Sequence, residues 1–304
     1  MALWLDAQVD LGKKDGDGDA KRAVCVGLSL PQYGGKRALT KPIQAGLDSL
    51  GRKCAFISYD DFYLTHDAQQ KLASENPDNI YVAKRGPAGT HDIELGTQTL
   101  QKLINCKEGE TVVLPKYDKS AFDGEGDRID YEKNPEKKIE SGPVDLILVD
   151  SWMLGHQPVD AVESKAIADN AGMEFVNEQL KNYAQWDELY DAAVLIAASD
   201  SNTVFEWSKE EEKAKWEAGA SSLSVDELKA LGDRFNPCYD AYMENMAKNG
   251  IKDQVAPERT LGFKLDTGKE PVVDGAEASV EMMTRIGQIL VRSTAKIELL
   301  EYLS

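Results

Sequence analysis

The sequence predicts an α/β fold in which a parallel sheet is covered by helices on both faces. Short apolar runs of strand length alternate with longer segments whose apolar residues recur at helical spacing. Most of the short runs are apolar throughout, which is typical of strands that are buried on both faces. Long polar segments, 59–93, 115–143 and 200–250, follow predicted strand ends. The ligand crevice of such a sheet lies at the carboxyl ends of its strands, so we expect a binding site there.

Five strands and three helices account for this pattern. The predicted strands are short and mostly apolar, and they cover 23–29, 53–58, 111–114, 144–149 and 192–197. A helix follows the first strand, with apolar residues at helical spacing from Leu39 to Leu50. The segment 206–217 is dense in Glu, Lys and Trp and predicts an exposed helix. Apolar residues at helical spacing in 277–303 predict a last helix that packs onto the domain.

The domain organisation follows from length and local composition. The chain has 304 residues, a length that suits one large α/β domain or two smaller ones. Residues 1–20 are rich in Gly, Asp and Lys, and they predict a flexible acidic N-terminal arm. We expect residues 21–304 to form a single domain, in which 200–250 could act as a lid.

The charge of the chain excludes several classes of partner. Lys and Arg number 35 and Asp and Glu number 53, which gives a net charge of −18. Nucleic acid and anionic membranes need a basic face, so neither is expected as a partner, whereas a small anionic ligand needs only a local cluster of cations. The sequence has no apolar run of transmembrane length, no signal-peptide core and no CxxC pair. These features predict a cytoplasmic protein with reduced cysteines.

The turn after the first strand partly matches a phosphate-binding loop, G-x-x-x-x-G-K-[ST]. Gly35 and Lys36 stand where the pattern needs them, and Gly34, Gly35, Lys36 and Arg37 are the candidate nucleotide-binding residues. Leu30 replaces the leading glycine, and Arg37 replaces the hydroxyl residue that binds Mg²⁺. The loop is therefore either a nucleotide site with altered ligands or a degenerate turn.

Carboxylates follow two of the predicted strands. Asp60 and Asp61 come at the end of the second strand, where one carboxylate could act as a general base. Asp150 ends the strand 144–149, an arrangement that could hold Mg²⁺ through water. The structural alternatives are an acidic turn at Asp60 and a strand-end cap at Asp150.

Two loops combine cations with turn residues. They cover 84–92 and 116–128, and both lie beyond predicted strand ends. Their Lys and Arg side chains could bind a carboxylate or phosphates, and Arg is suited to bidentate contact. Each loop alone could also be an ordinary solvated loop.

Four ordered motifs carry a resemblance to a known family. They read DDFYLT at 60–65, RGPAGTHD at 85–92, LPKYDKS at 114–120 with GEGDR at 124–128, and WMLG at 152–155. Together they resemble the D-glycerate 3-kinase family of ATP-dependent small-molecule kinases. The resemblance implies a P-loop NTPase-like fold and transfer of the γ-phosphoryl group of ATP to a small hydroxy acid, with Mg²⁺.

The resemblance also implies roles for individual residues. Asp60 is then the catalytic base, Lys36 contacts the β- and γ-phosphates, and Asp150 supports the metal. The matching loops supply the candidate substrate-binding residues, which are Asp61, Tyr63, Arg85, His91, Asp92, Lys116, Tyr117, Lys119, Asp127 and Arg128.

The chain departs from the family pattern mainly on the nucleotide side. The family loop reads G-P-Q-G-x-G-K-[ST], where this chain has Leu30, Tyr33 and Arg37 at three of the fixed positions. Asp150 stands in place of the usual Glu, and Ser208 stands where the family's lid segment carries Arg. An arginine in that role stabilises transition-state charge, so its loss weakens the case for turnover.

Two functions from different classes remain open. The first is an ATP-dependent kinase of glycerate or a similar hydroxy acid, with impaired nucleotide binding and with ATP and Mg²⁺ as cofactors. The alternative is a catalytically inactive pseudokinase without a cofactor, which binds a protein partner as a scaffold subunit. A weaker third option is a sensor that binds the acid but transfers nothing.

Overall fold

A computed structural model describes residues 1–15, 22–130, 139–251 and 253–272 of the chain. The strands are β1 (Val24–Ser29), β2 (Cys54–Ser58), β3 (Thr111–Val113), β4 (Tyr117–Asp118), β5 (Asp127–Arg128), β6 (Ile139–Ser141), β7 (Leu146–Ser151), β8 (Ala192–Ala198) and β9 (Thr260–Leu265). The helices are α1 (Ala2–Asp15), α2 (Lys36–Ser49), α3 (His66–Glu75), α4 (Ile93–Ile104), α5 (Lys165–Ala168), α6 (Met173–Leu180), α7 (Ala184–Asp187), α8 (Ser201–Glu217) and α9 (Val225–Asn249). Short 3-10 helices cover Tyr59–Phe62, Phe122–Gly124, Lys181–Tyr183 and Pro257–Arg259.

The central sheet is parallel and has helices on both faces. Its five strands lie in the order β2-β7-β1-β8-β9. β1 gives alternate side chains to two apolar clusters, since Val24 and Val26 belong to one cluster and Cys25 to the other. The first cluster includes residues of α1 and α2, and the second includes residues of α4, α6 and α9. The predicted fold class is therefore confirmed.

Four of the five predicted strands lie in this sheet, and the fifth does not. Thr111–Val113 forms β3, which pairs antiparallel with β6 in a separate two-stranded sheet. Val112 is buried, but its neighbours Thr111 and Val113 are exposed, so this strand has only one buried face. The parallel sheet is completed instead by β9, whose residues are partly exposed and lack the continuous apolar run that marks a buried strand.

The prediction of a flexible arm is wrong for residues 2–15, which form α1. Trp4, Leu5 and Val9 are buried in the cluster beneath α2, because they recur on one face of the helix. Arg52 fixes the helix further, with its guanidinium 2.5 Å from Asp6 and 2.6 Å from Asp10. Because residues 1–20 are rich in acidic residues, the apolar face of this helix could not be recognised from composition. Residues 16–20 of the predicted arm lie outside the described residues.

The polar region 200–250 is folded as two helices. The α8/α9 hairpin, residues 201–249, packs α8 against α9 and α9 against β8. The helix predicted at 206–217 lies within α8, but Trp207, Ser208 and Glu212 are buried rather than exposed. The helix predicted at 277–303 lies outside the described residues. In the described part of the chain, no helix has both the length and the apolar character to cross a membrane.

Candidate active site

The phosphate loop, residues 30–35, joins β1 to α2. Leu30, which stands where the loop pattern has glycine, is buried in the same apolar cluster as α2. Its side chain fills the space beside Gly34, where a Cβ would lie 2.8 Å from Leu30 Cδ1 and 2.9 Å from the Pro31 carbonyl oxygen. Leu30 and Gly34 are thus sterically matched. The left-handed backbone falls further along, at Tyr33 (φ 60°) and at Gly35 (φ 88°), which precedes α2.

Two side chains of the α8/α9 hairpin hold the phosphate loop. The Tyr33 hydroxyl donates to Glu212 Oε1 of α8 at 3.3 Å. The Gln32 N–H donates to the Tyr239 hydroxyl of α9 at 3.0 Å. The family pattern has glycine at the position of Tyr33, and glycine adopts a positive φ without steric cost. The loop is therefore kept in shape partly by the hairpin.

Lys36 begins α2 and meets the ends of two adjacent strands. Its ammonium forms an ion pair with Asp150 of β7 and lies 2.9 Å from the Ser58 hydroxyl of β2. The Ser58 hydroxyl donates to Asp150 Oδ2 at 3.0 Å, because Ser58 and Asp150 face each other in the β2–β7 register. Burial raises the pKa of Asp150, although the charge of Lys36 opposes that shift. Arg37 occupies the second position of α2.

Asp60 lies in the 3-10 turn that follows β2 and pairs with Lys119. Its Oδ2 is 2.6 Å from Lys119 Nζ. Burial alone would raise the pKa of Asp60, but the charges of Lys119 and Lys36 outweigh it and hold the pKa below its usual value. Asp61 instead caps the turn, since its carboxylate accepts the Ser58 N–H at 3.1 Å. The turn thus leaves Asp60 directed to the cavity as a carboxylate.

Two cavities bring many of the predicted site residues together. A cavity of about 840 Å³ is walled by the phosphate loop, the strand ends, the segment 83–85 and α9. The predicted residues that line it are Lys36, Asp60, Tyr63, Arg85, Lys119 and Asp150. A second cavity of about 460 Å³ shares Lys36, Asp60 and Lys119 and adds Asp61, Lys116 and Tyr117. These sets support one site at the carboxyl edge of the sheet.

His91 lies beneath Tyr63 rather than in a cavity wall. Its ring stacks on Tyr63 with 4.4 Å between ring centroids, and its Nδ1 is 2.6 Å from the Tyr183 hydroxyl. Burial lowers the pKa of His91 to about 3, so the imidazole is neutral at physiological pH. We conclude that His91 supports the aromatic wall of the site.

Asp92, Asp127 and Arg128 tie loops together and do not line either cavity. Arg128 Nη2 lies 3.0 Å from both Asp92 Oδ2 and the Tyr63 carbonyl oxygen. Asp127 accepts the backbone N–H of His66 at 2.8 Å. These bonds anchor the β4–β5 pair to the turn after β2.

Arg85 fixes the loop that carries Lys119. It donates to the carbonyl oxygen of Gly124 at 2.9 Å, and its guanidinium lies 5.5 Å above the Tyr117 ring. A weaker bond of 3.4 Å reaches the carbonyl oxygen of Lys119. Arg85 therefore helps to place the Lys119 ammonium against Asp60.

Ser208, which stands where the family's lid segment carries arginine, supplies no charge to the site. The Ser208 hydroxyl is buried and donates to the Phe205 carbonyl oxygen at 2.6 Å. Lys209 beside it pairs with Glu206 at 2.6 Å, so it does not take over that role. The cation that the hairpin does present to the large cavity is Arg234, on α9.

Three residues of the site were not predicted as site residues. Ser58 comes two positions before Asp60, and its place at a strand end was a usable signal. Glu212 and Arg234 lie within polar helices, where no local motif distinguishes them from solvated charges.

Comparisons with known proteins agree with this architecture, although no family model matches the sequence. The chain is 35% identical to the chloroplastic D-glycerate 3-kinase of Arabidopsis thaliana over 274 residues, which cover 89% of this chain and 59% of that protein. This chain is thus similar to somewhat more than half of the plant protein's length.

Two further relatives align along most of both chains. An uncharacterized kinase of Schizosaccharomyces pombe is 30% identical over 259 residues, which cover 83% of this chain and 91% of that one. The solved structure of D-glycerate 3-kinase from Cryptococcus neoformans superposes with a TM-score of 0.79 at 27% identity, covering 89% of this chain and 96% of that one. The chain therefore belongs to the family of P-loop kinases that includes D-glycerate 3-kinase.

Proposed function

We propose that this chain transfers the γ-phosphoryl group of ATP to the hydroxyl of glycerate or a similar small hydroxy acid. The observation that carries the proposal is the convergence of Lys36, Asp60 and Lys119 on one cavity beside the phosphate loop. This arrangement places a cation for phosphates next to a carboxylate that can accept a hydroxyl proton. The relationship to D-glycerate 3-kinases supports the class of acceptor.

The residues present suit both ATP and Mg²⁺. Mg²⁺ prefers oxygen ligands and needs only one or two carboxylates beside the phosphates, and Asp150 and Ser58 present such oxygens next to Lys36. Lys36 and the backbone N–H groups at the start of α2 would hold the phosphates. When bound, Mg²⁺ neutralises phosphate charge. Arg37 stands where the pattern has a hydroxyl ligand, and we infer that nucleotide binding is weaker than in a complete loop.

Asp60 acts on the acceptor. The acceptor oxygen bonds to the γ-phosphorus as the bond to the ADP oxygen breaks, and Asp60 takes the hydroxyl proton. Lys119 keeps Asp60 ionised at neutral pH, because its charge helps to hold the pKa of Asp60 below its usual value. A weakly basic carboxylate suits this reaction, since orientation of the nucleophile matters more than base strength in a loose transition state.

One observation favours the pseudokinase alternative. The Gln32 N–H, part of the phosphate loop, is already bonded to the Tyr239 hydroxyl. This bond occupies an N–H group of the phosphate loop, and Ser208 stands where the family has the lid arginine. Both features are compatible with a kinase fold that has lost its activity. That alternative predicts negligible affinity for Mg·ATP.

The test is Asp60→Asn, compared with Asp67→Asn, which changes a fully exposed carboxylate on α3. We expect wild type to bind Mg·ATP in calorimetry and to release ADP with D-glycerate in a coupled assay. Asp60→Asn should lower kcat about 10²- to 10⁴-fold, because a general base is lost. It should leave the Kd for Mg·ATP within about twofold, because Asp60 acts on the acceptor.

Three outcomes would count against the proposal. Equal kcat values for Asp60→Asn and Asp67→Asn would remove Asp60 from the chemistry. A wild type that binds neither Mg·ATP nor D-glycerate would favour the pseudokinase. Binding of the acid without turnover would favour the sensor.

A further inference from the structure

Arg234 is a partly buried cation that faces the large cavity. It belongs to α9 and lines this cavity together with residues of the phosphate loop. Its Nε is buried and has no hydrogen-bond partner in the described part of the chain. Burial lowers the pKa of Arg234, which reflects the cost of holding a guanidinium away from water. An arginine with an unpaired buried nitrogen beside a cavity is suited to receive an anion.

A second arginine, Arg85, lines the same cavity. Gly86 packs so closely on α9 that a Cβ there would lie 2.5 Å from Cζ of Phe235, the neighbour of Arg234. The charge of Arg85 also lowers the pKa of Arg234. Arg85 donates to carbonyl oxygens, so neither guanidinium is neutralised by a carboxylate in an ion pair between described residues. An anion bound in this cavity would relieve the repulsion between the two positive charges.

The acidic residues that line the same cavity are engaged elsewhere. Asp233 pairs with Lys229 at 2.8 Å, and Glu211 pairs with Lys215 at 3.1 Å. Glu227 closes the capping box of α9 by accepting the N–H of Ser224. These carboxylates therefore do not neutralise the charge of either arginine.

We propose that Arg234 and Arg85 form the subsite that binds the carboxylate of the acceptor, a deduction that rests on the proposed kinase function. A hydroxy acid has a carboxylate at one end and the reacting hydroxyl near the other. Tyr63 lines the same cavity as Asp60, Arg85 and Arg234. The acid would thus lie along Tyr63, with its hydroxyl at Asp60 and its carboxylate between the guanidinium groups, where bidentate contact is available.

The experiment measures KM and kcat for D-glycerate and for its uncharged methyl ester with Arg234→Gln. The matched control is Lys248→Gln, which removes an exposed cation of α9 that does not line the cavity. We expect Arg234→Gln to raise the KM for D-glycerate about 10- to 100-fold, the effect of losing a charged hydrogen bond. The kcat, the KM for the ester and the Kd for Mg·ATP should each stay within about threefold, since the ester has no charge for Arg234 to bind.

Each outcome either supports or overturns the proposed carboxylate subsite. An unchanged KM for D-glycerate in an active Arg234→Gln would overturn the subsite and leave the kinase proposal intact. A fall in kcat alone would assign Arg234 to the transition state and also overturn the subsite. If wild type does not turn over, calorimetry with D-glycerate decides: binding that is lost in Arg234→Gln supports the subsite without the kinase, and no binding by wild type rejects both.

Discussion

At the level of single residues, the phosphate loop shows how a bulky side chain can replace a glycine of the pattern. Leu30 is buried, and the left-handed backbone falls at Tyr33 and Gly35 instead. The space that a Cβ would need at Gly34 is filled by Leu30 and the Pro31 carbonyl. The departure at Leu30 is therefore compensated within the loop, whereas the departure at Arg37 replaces the hydroxyl of the pattern with a cation.

This matching predicts that Gly34 cannot be enlarged. Gly34→Ala would bring a Cβ within 2.8 Å of Leu30 Cδ1 and 2.9 Å of the Pro31 carbonyl oxygen. We expect it to cost about 1–3 kcal/mol of unfolding free energy in urea denaturation, as overpacking does. Gly262→Ala in β9 is the control, because nothing lies within 4 Å of its added Cβ. Equal stabilities of the two variants would show that Leu30 and Gly34 are not sterically coupled.

Some residues of the site could be predicted from the sequence, and others could not. Asp150 lies near the end of β7, Asp60 lies in the turn after β2, and Lys36 follows the loop after β1. Parallel strands end at one edge of a sheet. Their proximity is therefore predictable from local pattern. Arg234 lines the cavity from α9, whose Phe235 packs on Gly86. That contact joins segments about 150 positions apart, and no local motif encodes it.

Among the elements, the α8/α9 hairpin is connected to the phosphate loop through one buried carboxylate. Glu212 Oε1 accepts the Tyr33 hydroxyl at 3.3 Å and pairs with Lys215 at 2.7 Å. Its Oε2 accepts the Leu223 N–H, in the turn between the two helices, at 2.7 Å. A single side chain thus links the turn of the hairpin to the phosphate loop.

We expect Glu212→Ala to loosen the loop and the hairpin turn together. Bonds to a buried charge contribute about 1.5–3 kcal/mol, so amide hydrogen exchange should rise about tenfold or more in 219–224 and in 30–35. Glu210→Ala is the control, since that exposed side chain lies on the same helix. Faster exchange in the hairpin turn alone would mean that Glu212 does not couple it to the phosphate loop.

Two elements mark the limit of prediction from sequence at this scale. α1 was not predicted, because its segment is rich in acidic residues, although Trp4, Leu5 and Val9 form a buried stripe on one face. β9 is an edge strand with partly exposed residues, so it has no continuous apolar run. Both elements depend on contacts with distant segments, which local composition does not report.

Across the whole molecule, the charge distribution sets the site apart from the surface. The chain carries a net charge of −18, yet Lys36, Lys84, Arg85, Lys119 and Arg234 all line the large cavity. Such a local cluster favours small anionic ligands, the class that the proposed function requires. The surrounding negative charge disfavours polyanions, which need a continuous basic face.

The stability of the whole molecule should depend on pH through Asp187, a buried carboxylate at the end of α7. It is 5% exposed, and burial followed by the charge of Glu188 raises its pKa to about 7. In the unfolded chain this group titrates near its ordinary value of about 4. The folded state therefore binds the proton more tightly, and its contribution to stability is fully present below about pH 4 and lost as pH rises through about 7.

Removing this carboxylate should flatten that pH dependence. We expect the unfolding free energy of Asp187→Asn, relative to wild type, to rise by about 1.4 kcal/mol per pH unit between about pH 4 and 7 and then to level off. Urea denaturation across this range measures the difference, and a constant cost of burying the amide cancels from its slope. Asp78→Asn, at an exposed position, should run parallel to wild type. If Asp187→Asn also ran parallel, the buried carboxylate would have to titrate at its ordinary pKa, which its enclosure within the core opposes.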